Sequence, residues 1–103
     1  MREASQRIQR YMIGLDREAF RHDERTRDAV LRNLEIIGEA AKRIPNGIRE
    51  RKPGIDWRRL AGLRNIIAHA YFGIDETILW DIVANKVPTL AQQLKQGPMD
   101  HET

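Results

Sequence analysis

The chain has 103 residues, a formal net charge of +3 and no cysteine. That length holds one small domain, and the lack of cysteine excludes disulfide staples and every cysteine-containing zinc site. No apolar run approaches the roughly 18 residues needed to span a bilayer, and the basic N-terminal stretch lacks the apolar core of a signal peptide, so no membrane association and a soluble cytoplasmic protein are expected.

The pattern reads as helix throughout, because no stretch alternates apolar and polar residues over strand length. A first helix is expected over Arg2–Ile13, stopping at Gly14. Asp16 can cap a short turn through Phe20, and Asp23 a long helix from Glu24 to Ile44 that ends at Pro45. Within it Val30, Leu34, Ile37, Ala41 and Ile44 step by three and four, one buried stripe. Asn46–Lys52 reads as a short helix before Pro53-Gly54. Asp56 caps the next helix, Trp57 to Ala70, and Gly73 breaks it. Asp75 caps the last, whose apolar positions Ile78, Leu79, Ile82, Val83, Val87 and Leu90 again step by three and four. Pro88 lies inside that pattern and predicts a kink near Ala84–Val87. These elements amount to an all-α four-helix bundle with short extra turns over residues 1–96, followed by a frayed tail at 97–103.

Charge is uneven along the chain. Residues 1–52 carry 13 Lys/Arg against 9 Asp/Glu, and residues 53–103 carry 5 against 6. The excess is mostly arginine, whose planar fork binds phosphate in two-pronged fashion. A polyanionic partner is thereby admitted, although a charged helical surface needs no such partner.

The helix expected over Trp57–Ala70 carries the chemistry. Leu60, Leu63, Ile66, Ile67 and Ala70 fall within one arc of roughly 120°, the core face. The opposite face holds Ala61, Gly62, Asn65, Ala68 and His69, flanked by Arg58 and Arg64. Small residues between polar groups let another backbone approach, and a glycine inside a helix costs about 1 kcal/mol relative to alanine. This second face is therefore expected to be covered, most economically by a second copy across a two-fold axis.

Arg64 offers a permanent charge and a fixed fork of donors, and His69 can take and give a proton near neutral pH. Asn65, four residues before His69, can orient the imidazole or hold a phosphate oxygen. Arg64 and His69 stand about 140° apart around the axis, too wide for one helix to aim both at one atom. A groove between two facing copies, each supplying one arginine and one histidine, removes that difficulty. The matching reaction is transesterification of RNA, without metal or cofactor. One histidine removes the 2′-hydroxyl proton, the other protonates the leaving 5′-oxygen, and the arginines stabilise the charged transition state. A 2′,3′-cyclic phosphate product and inactivity on DNA follow. Each residue also has a plainer reading: His69 as a structural histidine, Arg64 as a surface ion-pair partner, Asn65 as a surface amide, and Tyr71 as helix-end packing. Glu39, the one acid in the small stretch Gly38-Glu39-Ala40-Ala41, can support an active-site arginine, lie at an interface, or be a surface carboxylate. His22 and His101 have no constellation around them.

Arg64, four residues, His69, one residue and Tyr71 together resemble the signature of the HepT-like toxins of the HEPN superfamily. The blocks Arg32–Lys42, Ile55-Asp56-Trp57 and Ala68–Asp75 resemble that family too, so the likeness runs from about Arg7 to Leu94. It implies a helical homodimer whose two Arg…His motifs meet in a cleft and cut RNA. It also implies a minimal nucleotidyltransferase antitoxin that transfers AMP to the motif tyrosine, here Tyr71. Phosphates added beside Arg64 would fill the site with negative charge and exclude the RNA backbone. On this resemblance Arg64 and His69 are catalytic, Asn65 supporting and Tyr71 the modification site, while Glu39 is a candidate outer residue on the sequence reading alone. The alternative within the same resemblance is a non-catalytic helical dimer that binds a nucleotidyltransferase or nucleic acid. The sequence departs from the family pattern in two places. It begins about a dozen residues later than is usual, which predicts a short first helix, and Ala70 stands where glycine is common, which predicts a slightly narrower cleft.

Overall fold

The computed structural model describes residues 1–71 and 76–95, with Tyr71 as backbone only. Among them all regular structure is helical. Helix α1 (Arg2–Tyr11) gives way to a turn that closes with the Leu15 N–H donating to the Met12 carbonyl at 3.0 Å. Gly14 makes that turn at φ +78°, a conformation side-chain-bearing residues rarely adopt.

Three aspartates then open helices as their positions predict. Asp16 accepts from the Ala19 N–H at 2.8 Å and starts α2 (Arg17–His22). Asp23 accepts from the Thr26 N–H at 3.1 Å and from its hydroxyl at 2.8 Å, starting α3 (Glu24–Arg43). Each cap satisfies a first-turn donor that the helix itself cannot. At the far end of α3, Arg49 of α4 (Asn46–Arg51) donates to the Ala41 and Ile44 carbonyls at 2.8 and 3.0 Å. Asp56 accepts from the Arg59 N–H at 3.1 Å and starts α5 (Trp57–Ala61).

One expected helix is broken. The one beginning at Trp57 stops at Gly62, and α6 (Leu63–Tyr71) starts afresh. The Gly62 N–H donates to the Arg58 and Arg59 carbonyls, at 3.2 and 3.1 Å, while the Gly62 carbonyl accepts from Asn65 at 3.2 Å. Three-residue spacings of this kind tighten the chain locally. The last helix runs on without a break and changes its winding where the kink was expected. Helix α7 (Glu76–Asp81) runs into a π turn at Ile82–Lys86, and α8 (Val87–Leu94) follows with Pro88 in its first turn. Pro88 brings no N–H and its ring would crowd the Ala84 carbonyl, so the backbone widens just upstream. The Thr89 hydroxyl answers the Asn85 carbonyl at 3.0 Å.

The α3 stripe is the centre of the core: Val30, Leu31, Leu34, Ile37 and Ala41 are all buried. Helix α1 packs on α3 and α8, while α5 and α6 pack on the other side of α3. Ile8, Phe20, Leu79 and Leu94 complete the interior, each side chain contributing about 1.5–3 kcal/mol through burial. Ile78, expected in the core, is 46% exposed instead. The proposed Asp75 cap, the Gly73 break, His101 and the tail at 97–103 lie outside the described residues. No helix among the described residues is long and apolar enough to cross a membrane.

Candidate active site

The candidate residues lie on α6, and α6 is placed by what precedes it. Trp57 is buried at the start of α5, its indole N–H donating to the Lys52 carbonyl at 3.1 Å. Lys52 in turn donates to the Gln93 carbonyl at 2.9 Å, and Gln93 to the Gly54 carbonyl at 2.9 Å, tying this connection to α8. The α5–α6 junction then lies directly on α3. A Cβ built on Gly38 would stand 3.3 Å from the Leu60 carbonyl oxygen and 3.4 Å from the Leu63 Cβ. Glycine at 38 therefore permits the close approach that brings α6 against the core. At Gly62 a Cβ would meet, within the chain, the Arg58 and Arg59 carbonyls at 3.6 and 3.5 Å.

From Leu63 onward the helix is continuous to Tyr71. Leu63, Ile67 and Ala70 are buried, and Arg64, Asn65, Ala68 and His69 are exposed. The two faces expected from the sequence thus exist, and no described element covers the second one. Ala70 belongs to the core at 2% exposure. Its methyl points away from the exposed face, which corrects the expectation that it narrows a cleft there.

Arg64 and His69 share one unbroken helix, so their separation of about 140° around the axis holds. They do not converge within the protomer. Arg64 makes no hydrogen bond or ion pair among the described residues, and neither does the Asn65 side chain. Orientation of the imidazole by Asn65 is therefore not seen in the protomer. Arg58 and Arg59 are exposed beside Gly62, extending the positive charge of Arg64 along the α5–α6 ridge. Glu39 is exposed on α3 with its carboxylate 3.5 Å from the Lys42 ammonium, so within the chain its partner is a lysine one turn away. His22, also exposed, sits 2.9 Å from Glu18. The Tyr71 side chain lies outside what the structure describes.

A groove of about 860 Å³ runs between the α5–α6 arm and the α7–α8 arm, lined by Leu60, Leu63, Ile66, Ile78, Ile82 and Leu90 among others. Ile66 sets its relation to the site. His69 lies about 60° from Ile66 around α6, and Arg64 about 160°. The apolar groove therefore borders the histidine side of the helix, and the arginine stands on the far flank.

One long-range contact escaped the sequence. Arg27 of α3 forks onto Glu76 at the start of α7, with Nη1 donating to Oε2 at 2.7 Å and Nη2 to Oε1. Nη2 also donates to the Ala70 carbonyl at 2.9 Å. Both side chains are largely shielded, at 14% and 29% exposure. The hydrogen bonds from Arg27 hold the Glu76 carboxyl below the usual carboxylate range, with Arg27, Arg21 and Arg17 adding Coulombic attraction. Arg17 itself donates to the Thr77 hydroxyl at 2.8 Å. The clamp joins residues 49 positions apart, and no local pattern in the sequence announces it.

The chain resembles known proteins over nearly its whole length. The family described as "Ribonuclease HepT-like" matches residues 1–97. A protein of Methanocaldococcus jannaschii named "Putative RNase" is 40% identical over 93 residues, covering 90% of this chain and 85% of its own. One of Thermococcus cleftensis named "Probable ribonuclease HepT" is 43% identical over 88 residues, covering 85% of this chain and 80% of its own. No solved structure matches.

Proposed function

Because the chain belongs to the HepT-like ribonuclease family, we propose that it is the toxin of a toxin–antitoxin pair, a cytoplasmic endoribonuclease whose site is assembled from two copies. The observation that carries this reading is the exposure of Arg64 and His69 on one continuous helix, in an arrangement that a single protomer cannot bring to one phosphate. A second copy facing α6 would supply the missing half. It would also cover Ala68 and the histidine side of the apolar groove.

In the shared cleft one His69 accepts the proton of the ribose 2′-hydroxyl, and the 2′-oxygen attacks the adjacent phosphorus. The other His69 gives a proton to the departing 5′-oxygen, leaving a 2′,3′-cyclic phosphate. The two Arg64 guanidiniums hold the non-bridging oxygens as charge accumulates on them. Asn65 contributes a further donor to phosphate, and Glu39 enters only as an outer carboxylate at the interface. The chemistry needs a 2′-hydroxyl, so DNA is not a substrate.

Control falls to Tyr71. A minimal nucleotidyltransferase antitoxin transfers AMP from ATP to the Tyr71 oxygen and releases pyrophosphate. Tyr71 is seven residues from Arg64 and stands nearly above it on the helix, so the added phosphate occupies the arginine's anion site. The exposed Arg58–Arg59–Arg64 ridge also suits a second reading, a helical dimer that binds nucleic acid or the nucleotidyltransferase without cutting. Incubating purified protein with RNA in EDTA separates the two. Cleavage by wild type that His69→Ala and Arg64→Ala abolish supports the enzyme. Cleavage unchanged in both variants overturns the site, and none by unmodified wild type leaves the binding module.

A further inference from the structure

Helix α6 has nine residues, and its anchors are unequal. Leu63 and Ile67 fix its first two turns by burial. Among the described side chains of the last turn, which carries His69, Ala70 is the buried one. An alanine by itself removes little apolar area from water. The final four carbonyls of a helix also lack partners within it. Here one of them, the Ala70 carbonyl immediately after His69, accepts from Arg27 Nη2 at 2.9 Å. The same contact places a positive charge at the negative end of the helix dipole.

Glu76 makes this contact directional. Its two oxygens engage both terminal nitrogens of Arg27, which sets the plane of the guanidinium and aims the remaining Nη2 proton at Ala70. Arg27 stands on α3, the most deeply buried helix, so the turn carrying His69 is referenced to the core. Glu76 opens α7, so the clamp also joins the two helices on either side of residues 72–75. We propose that Arg27 and Glu76 are a positioning pair, which holds the last turn of α6 and so sets His69 for the reaction. The inference rests on the functional reading above. Arg27 touches neither Arg64 nor the reacting phosphate; it acts through the backbone beside His69. Lysine cannot replace it, because an ammonium lacks the planar fork that serves a carboxylate and a carbonyl at once.

The test compares wild type with Arg27→Lys and with the reversed pair Arg27→Glu/Glu76→Arg. It reads kcat and KM for RNA cleavage, the thermal midpoint, and the NMR ring resonances of His69. Arg27→Lys is expected to lower kcat at least about tenfold, as small misplacements of a catalytic group do, with little change in KM. Its His69 resonances shift or broaden. The reversed pair restores the ion pair and raises the thermal midpoint toward wild type. It restores neither kcat nor the resonances, because a glutamate at 27 cannot donate to the Ala70 carbonyl. Wild-type kcat and unchanged His69 resonances in Arg27→Lys overturn the proposal, as does recovery of kcat in the reversed pair. If the reversed pair does not fold, Arg27→Lys decides. If wild type does not cleave RNA, the functional reading falls, and the His69 resonances of Arg27→Lys alone judge the pair.

Discussion

Gly38 and Leu63 meet where α3 passes beneath the start of α6, and a Cβ on the glycine would fit there only tightly. A Cβ there would lie 3.4 Å from the Leu63 Cβ and 3.3 Å from the Leu60 carbonyl, and backbone cannot swing aside as a side chain can. Gly38→Val, with two further carbons beyond Cβ, is expected to lower stability by about 1–3 kcal/mol. It also lifts α6 from the core, so cleavage falls with stability. Denaturant unfolding followed by circular dichroism checks the first effect; a variant as stable as wild type would show that the junction yields.

Acid should loosen the end of α6. Arg27 keeps the Glu76 carboxyl below its ordinary value of 4.5, so the folded state favours the carboxylate. That stability is fully present above the unfolded value and is lost as pH falls through the lowered folded one. Glu76→Gln removes the charge, and is expected to cost about 1–2 kcal/mol at neutral pH, the scale of a hydrogen bond to a charged group. The two proteins should converge in stability as pH drops below the ordinary carboxylate range. A gap between them that stays constant from neutral to acid pH would contradict this assignment.

Exposed residues can be removed without disturbing the fold. Arg64 and His69 have no part in the core; Arg64→Lys should unfold within about 0.5 kcal/mol of wild type, and His69→Ala removes the proton-transfer group. Loss of the proton-transfer group is expected to reduce kcat by about 10²–10⁴-fold. Arg64→Lys keeps the charge and loses the fork, so it should fall well below wild type yet exceed Arg64→Ala. Single-turnover cleavage of a labelled RNA resolves the order.

Tyr71→Phe separates catalysis from control. The variant should cleave RNA as wild type does, and resist inactivation by the nucleotidyltransferase and ATP. Peptide mass spectrometry of the treated wild type should find the added nucleotide on Tyr71. Its appearance on another residue would remove the proposed switch.

Much of this could be read from the chain alone because it depends on local chemistry. Asp16, Asp23 and Asp56 cap the helices they precede, and the Val30–Leu34–Ile37–Ala41 stripe is buried as its spacing requires. The exposed face bearing Arg64, Asn65 and His69 follows from the same periodicity. The break at Gly62 was hidden, because Leu60, Leu63, Ile66 and Ile67 keep helical spacing across it. Ile78 was misplaced because its spacing alone does not say whether another element covers it, and here it lines an open groove. The Arg27 clamp is not legible in the sequence, since its partners lie 43 and 49 residues away and only the packing of α3, α6 and α7 unites them.

The central claim is that one cleft needs residues from two copies, and mixing active with inactive protein tests it. Wild type and His69→Ala are unfolded together and refolded at fixed total concentration, so that subunits pair at random. If both histidines serve one reaction, a mixed dimer is dead, and cleavage falls as the square of the wild-type fraction. If each protomer holds a complete site, cleavage falls in simple proportion to that fraction. The first curve is predicted; the second would contradict the composite site.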